Sequence, residues 1–192
     1  MPRHYLSTTD LTRTETEELL NRAALLKAEW RAGGHPEPLM RGKTLALVFE
    51  KPSLRTRVAF EAGMTQLGGH GSYLSANDID MGGRESVPDV ARNLSRWVQV
   101  IAARVFRHST VEELARHATI PVINALCDRE HPCQVLADML TLQERFGRLQ
   151  GVRLAYIGDG NNVCHSLMLM GANLGVNLAI GCPPDYRPDP EI

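Results

Sequence analysis

The sequence predicts an α/β fold: a domain built on a parallel sheet, followed by the start of a second α/β domain. Three observations carry this. Short β-branched runs alternate along the chain with longer segments of helical period, the pattern of strands joined by helical crossovers. A glycine, Gly147, interrupts a helical pattern inside ERFGRLQG, and a new strand, tight turn and helix follow it. The length of 192 residues exceeds one average domain and falls short of two large ones.

Taken in order, the apolar stripe Leu19, Leu20, Ala23, Leu26, Trp30 predicts a first helix over 14–31, ended by Gly33 and Gly34. Strands are expected at 44–49, 71–74, 98–106 and 121–125. Helices are expected between and after them, at 55–67, 87–97, 111–118 and 132–146. Beyond Gly147, residues 152–157 read as a strand, GDGNN as a turn, 163–174 as a helix and 176–180 as a second strand. A βαβ unit of about 40 residues buries too little surface to stand alone. The domains are therefore placed at 1–147 and 148–192, the second incomplete.

Composition narrows the function classes. A hydrophobic share of 43% with 22% charged residues suits a globular core rather than disorder. A net charge of -1 supplies no global field for a polyanion, so neither nucleic acid nor an anionic membrane is an expected partner. No stretch approaches ~18 uninterrupted apolar residues, and MPRHYLSTTD lacks the apolar segment of a secretory signal. The chain reads as cytoplasmic. Four cysteines without a CxxC pair suggest reduced thiols. Cys127, His131 and Cys133 raise the question of zinc, but no second ligand pair accompanies them, and no metal is expected.

Three places carry chemistry. In FEKPSLRTRVAFE, residues 49–61, a strand gives way to a helix at Pro52–Arg57. Ligands of open parallel sheets bind at such carboxyl ends. Helix N–H groups, the hydroxyls of Ser53 and Thr56, and the planar forks of Arg55 and Arg57 would together cradle a phosphate without Walker glycines. On its own, the segment fits equally well a helix capped by Ser53 with solvated arginines.

The second place is NALCDREHPCQVLADML, where His131, Pro132, Cys133 and Gln134 open a helix, with Pro132 in a first-turn position. His131 and Gln134 are three apart and could donate hydrogen bonds to a carbonyl oxygen. The third is Arg104, near the carboxyl end of an otherwise apolar strand, where an arginine is costly unless it meets a partner. A nicotinamide site at GDGNNV is disfavoured because Val163 stands where the fingerprint needs its third glycine, and Asp185 falls beyond the end of the second strand.

SLRTR at 53–57, ARVF at 103–106, HPCQ at 131–134 and GDGNN at 158–162 occur in one order and spacing. By these motifs, the whole chain resembles the amino-terminal portion of the ornithine branch of the aspartate/ornithine carbamoyltransferase family. HPCQ and GDGNNVCHS favour ornithine over aspartate as acceptor, with putrescine and acylated ornithine left open.

The resemblance implies a carbamoyl phosphate-binding domain followed by a Rossmann-like ornithine-binding domain. The reaction would be carbamoyl transfer from carbamoyl phosphate to the δ-amine of L-ornithine, giving citrulline and phosphate, in arginine biosynthesis or the urea cycle. Ser53, Arg55, Thr56 and the backbone of Leu54 would hold the phosphate. Arg104, His131 and Gln134 would meet the carbonyl end beside Pro132 and Cys133, and with Arg55 they form the expected catalytic set. Arg57 and Asn161 would support, and Asn162 would contact ornithine.

No cofactor is implied, and Cys133 is expected to pack rather than attack. Homotrimers or multiples of trimers are implied too, with Asp80 at a position that reaches a neighbouring subunit's site. Two departures stand out: Leu54 replaces a frequent threonine, and Asp80 a frequent Gln or His. The Ser-Met-Gly and Cys-Leu-Pro segments of such enzymes do not occur in these residues. A non-catalytic carbamoyl phosphate-binding or assembly module is therefore the alternative expectation.

Overall fold

A computed structural model describes residues 2–34 and 37–192. Their contacts divide them into two compact units. One contains the segment up to Leu6 together with Glu29–Cys127; the other contains Ser7–Ala28 and Asp128–Ile192.

The first unit is built on four parallel strands: β1 (Thr44–Phe49), β2 (His70–Ser75), β3 (Val100–Arg104) and β4 (Val122–Leu126). Their spatial order is β2-β1-β3-β4. The chain steps from β1 outward to β2 and then returns to the other side of β1 to lay down β3. The strand order thus reverses between β1 and β3, and in open α/β sheets a crevice forms outside the carboxyl ends of the strands at such a point. β1 is buried on both faces, which explains why TLALVF shows no alternation.

Ala46, Val48, Ile101, Ala103 and Val122 pack on one side of the sheet with α4 (Val87–Trp97) and α5 (His108–His117). Leu45, Leu47, Phe49 and Ala102 pack on the other with Met64 of α2 (Leu54–Gln66). A short helix, α3 (Ala76–Ile79), follows β2. At the far edge the N-terminal segment joins β4, with the Tyr5 amide donating to the Val122 carbonyl at 2.9 Å and the Asn124 amide to the Tyr5 carbonyl at 2.8 Å.

The second unit contains all but the last three residues of α1 (Arg13–Arg31), together with α6 (Pro132–Phe146), β5 (Arg153–Ile157), α7 (Asn162–Leu174) and β6 (Asn177–Gly181). β5 and β6 pair in parallel. Leu20 of α1, Val135 and Met139 of α6, and Leu167, Met170 and Leu174 of α7 form its core. Gly147 ends α6 in the left-handed conformation, φ 69°, which favours glycine because a Cβ is disfavoured there.

Most expected elements occur within one or two residues of their predicted bounds. β3 is shorter than its apolar run, because Val98 caps α4 and the ladder with β4 shifts register between Ala103 and Arg104. α5 begins three residues earlier than expected, since its first turn, His108-Ser109-Thr110, is polar and leaves no apolar period. Among the described residues, no helix is long and apolar enough to cross a membrane.

Candidate functional site

The carboxyl ends of β1 and β3 lie side by side, with Phe49 opposite Arg104 and the Glu50 amide donating to the Arg104 carbonyl at 2.9 Å. Past Phe49 the chain turns at Pro52, and Ser53 caps α2 by accepting the Thr56 amide at 3.2 Å. Extended backbone at Ser53, φ -159°, suits an N-cap and aims the first amides of α2 out of the strand end. The expected cap is therefore present. It satisfies one of the orphan donors and leaves the first-turn amides of Leu54 and Arg55 available to an anion.

Arg104 sits where the β3–β4 ladder slips, a bulge of the kind that re-aims a side chain. Its Nη1 donates a long hydrogen bond, 3.4 Å, to Oγ1 of Thr56 in the first turn of α2. Its Nε is buried with no hydrogen-bond partner. Burial, and after it the nearby charge of Arg55, draws the guanidinium below its usual pKa. Burial makes the charge costly to hold, and Arg55 brings a second positive charge to the same strand end. A buried charged donor left unmatched costs at least ~1–3 kcal/mol, and an anion would relieve it.

Arg57 is held differently from Arg55. Its guanidinium stacks 3.8 Å from the ring centroid of Tyr73 and pairs with Glu61 at 3.1 Å, so it joins α2 to β2 rather than opening to a ligand. Leu54 is 80% exposed. Asp80 has the one left-handed non-glycine backbone among the described residues, φ 47°. Its carboxylate accepts the Arg84 amide at 3.1 Å, and it lines a cavity of about 200 Å³ with Phe49, Glu50, Ser75 and Phe106. Cys127 accepts from Asn124 Nδ2 and touches His108 Nδ1, both at 3.3 Å. Among the described residues no group of three or more His, Cys, Asp or Glu side chains is arranged for a metal ion.

The second unit positions the HPCQ motif. His131 is the N-cap residue of α6, Pro132 takes the first turn, where its missing N–H does no harm, and the His131 amide donates to Ser166 Oγ at 2.9 Å. Gln134 is exposed, and its Nε2 donates to Oδ1 of Asp138 at 2.9 Å. Burial pushes the Cys133 thiol up to about 12. No appreciable thiolate exists there at neutral pH, which argues against a nucleophile.

Two residues that sequence reading missed hold this region. Glu130, only 2% exposed, accepts from Ser7 Oγ at 2.6 Å, Thr8 N at 2.9 Å and Thr8 Oγ1 at 2.8 Å. Asp138 holds Gln134, and its i, i+4 spacing from a glutamine was the available signal. Glu130 gave no such signal, because its partners lie about 120 residues away in sequence.

In the GDGNN turn, Asn161 caps α7, its Oδ1 accepting the amides of Val163 and Cys164 at 3.0 and 3.3 Å. Asn162 is the first residue of α7. Gly160 donates its amide to the Tyr186 carbonyl at 2.8 Å, and a Cβ there would collide with the backbone of Arg187 and Pro188.

The family descriptions that match are the aspartate/ornithine carbamoyltransferase carbamoyl-P binding domain over residues 3–144 and the Asp/Orn binding domain of the same enzymes over 150–192. The chain belongs to the aspartate/ornithine carbamoyltransferase family. Among carbamoyltransferase relatives, the ornithine carbamoyltransferase of Methanocorpusculum labreanum is 51% identical over 190 residues, covering 99% of this chain and 62% of the relative. That of Thermococcus kodakarensis is 50% identical, with 99% and 60% covered. The solved ornithine carbamoyltransferase of Pyrococcus furiosus superposes with a TM-score of 0.96 at 48% identity, covering 98% of this chain and 60% of that one. The chain thus spans about 60% of the length of these carbamoyltransferases.

Proposed function

We propose that this chain carries the carbamoyl phosphate site, and the start of the acceptor site, of an ornithine carbamoyltransferase. Carbamoyl would pass from carbamoyl phosphate to the δ-amine of L-ornithine, giving L-citrulline and phosphate. The observation that carries this reading is Arg104: a guanidinium at the topological switch point, with Nε buried and unmatched and Thr56 and Arg55 beside it.

In this reading the phosphate occupies the first turn of α2, held by Ser53, Arg55, Thr56 and the Leu54 backbone, while Arg57 braces the turn. Arg104 and His131 meet the oxyanion that develops when the neutral δ-amine attacks the carbonyl carbon, and phosphate departs into the arginine cradle. Rate enhancement comes chiefly from positioning and preorganised charge. Cys133 and Pro132 shape the pocket, Gln134 meets the carbamoyl end, and Asn162, supported by Asn161, contacts ornithine. We place the domain boundary at 147/148, between the two matched family segments and at the glycine that ends α6.

The same reading gives a homotrimer, with Asp80 directed to a neighbouring subunit, a cytoplasmic location, and a role in arginine biosynthesis or the urea cycle. The Pyrococcus furiosus relative named as anabolic, 48% identical, favours the biosynthetic side.

Calorimetric titration of the purified chain with carbamoyl phosphate, beside Arg55→Ala, tests the proposal. Saturable binding that the substitution abolishes is expected. A folded chain that binds nothing would overturn the reading.

A further inference from the structure

Resting on the carbamoyl phosphate reading above, we propose that Asp138 is a positioning residue. It locks the amide of Gln134, the residue placed at the carbamoyl end above, so that Oε1 rather than Nε2 is presented to that group.

Asp138 and Gln134 lie one turn apart on α6, with Nε2 of Gln134 2.9 Å from Oδ1 of Asp138. An ionised carboxylate has no proton to give, so only the NH₂ side of the amide can face it. That fixes Oε1 on the opposite side. Asp138 lines a pocket of about 270 Å³ whose other walls include Leu142, Leu154, Tyr156 and Leu167. Tyr156 is the other titratable group in that lining, and its hydroxyl donates to the Asp159 carbonyl at 2.8 Å, so it does not serve Asp138. No cation lines the pocket among the described residues. Burial raises the Asp138 pKa, and the Gln134 hydrogen bond opposes that rise.

A carboxylate maintained against an apolar wall, with one amide as its partner, costs stability unless its effect on that amide matters. What it sets is the polarity of the group Gln134 offers. A phosphate has no N–H for Oε1 to accept, and a methyl group has none either. A carbamoyl amino group does. Acetyl phosphate, which replaces that amino group by methyl and keeps the phosphate, offers Oε1 no donor and so forgoes that hydrogen bond.

The test is calorimetric affinity for carbamoyl phosphate and for acetyl phosphate, in the wild-type chain and in Asp138→Asn. Wild type should prefer carbamoyl phosphate by at least ~10-fold. In Asp138→Asn the partner can donate as well as accept, the Gln134 amide can turn over, and the preference should shrink to about threefold or less through lost carbamoyl phosphate affinity.

Wild type itself should lose preference as pH falls from about 7 toward about 4, because a protonated Asp138 can donate to Oε1 and reverse the amide. Acetyl phosphate carries the same phosphate group and so controls for phosphate protonation. The wild-type pH series stands alone if Asp138→Asn does not fold. An unchanged preference in folded Asp138→Asn, or a flat wild-type ratio across that range, overturns the role of Asp138 while leaving the carbamoyl phosphate site intact. Wild type binding neither compound removes both.

Discussion

The Nη1 of Arg104 stands 3.4 Å from Oγ1 of Thr56, which ties a bulged strand end to the first turn of the helix that follows the neighbouring strand. The contact is too long to satisfy a guanidinium, and the buried Nε beside it has no partner. Local rules are broken at this point without a compensating protein contact. Such breaks are expected where a ligand completes the structure.

Arg104→Met therefore separates function from stability. A residue kept for packing would lower Tm when truncated, whereas removal of a poorly matched, part-buried cation should leave Tm unchanged or raise it slightly. Carbamoyl phosphate affinity should fall at least ~10-fold, equivalent to ~1.4 kcal/mol. Paired thermal denaturation and calorimetry read both quantities. A large loss of Tm with little change in affinity would make Arg104 a structural residue.

Cys133 lies within HPCQ, where a thiol invites a nucleophilic reading. Burial holds that thiol up at about 12. At about pH 7.5 the thiolate fraction is negligible compared with a free cysteine near ~8.5. Iodoacetamide should accordingly label Cys133 far more slowly than it labels glutathione in the same tube, as followed by peptide mass spectrometry. Labelling at the glutathione rate would reinstate it as a reactive thiol.

The layout of the fold was legible because each crossover announces itself: the run TLALVF, the Ser53 cap, and the Gly147 stop each leave a one-residue or one-period signal. Arg104 was legible as a charge in an apolar strand. Its bulge was not, since a register shift depends on what β4 presents across the ladder. α3 has four residues and no period to read. Glu130 was hidden for a similar reason, because a buried carboxylate is explained only by the Ser7 and Thr8 donors that the fold carries to it.

Asp138 also predicts a pH signature in stability. Its folded pKa is raised by burial, with the Gln134 hydrogen bond acting the other way. Between the unfolded value near ~3.9 and the raised folded value, the native state holds the proton more tightly, so stability falls as pH rises through that window. At neutral pH the full penalty applies. Asp138→Asn, whose carbonyl can still accept from Gln134, should exceed wild type in Tm at neutral pH by on the order of a degree or two. The gap should close as pH falls through the raised pKa. Parallel Tm–pH curves would show that Asp138 carries no such penalty.

Gly160 combines two requirements in the GDGNN turn. Its amide reaches the Tyr186 carbonyl at 2.8 Å, and the backbone of Arg187 and Pro188 passes where a Cβ would stand. The same segment is fastened next to Pro188, where the Asp189 amide donates to Nε2 of His165 at 3.0 Å, while His165 Nδ1 donates to the Arg129 carbonyl at 2.8 Å. A methyl at Gly160 must therefore displace main chain rather than a flexible side chain. Gly160→Ala should destabilise by ~1–3 kcal/mol. The loss should be concentrated in the 186–189 strap, so that amide hydrogen exchange at Asp189 accelerates before the β1 and β3 amides change. Equal acceleration at Asp189 and in β1 would mean that the strap is not an independently opening element and that the substitution acts on the whole chain.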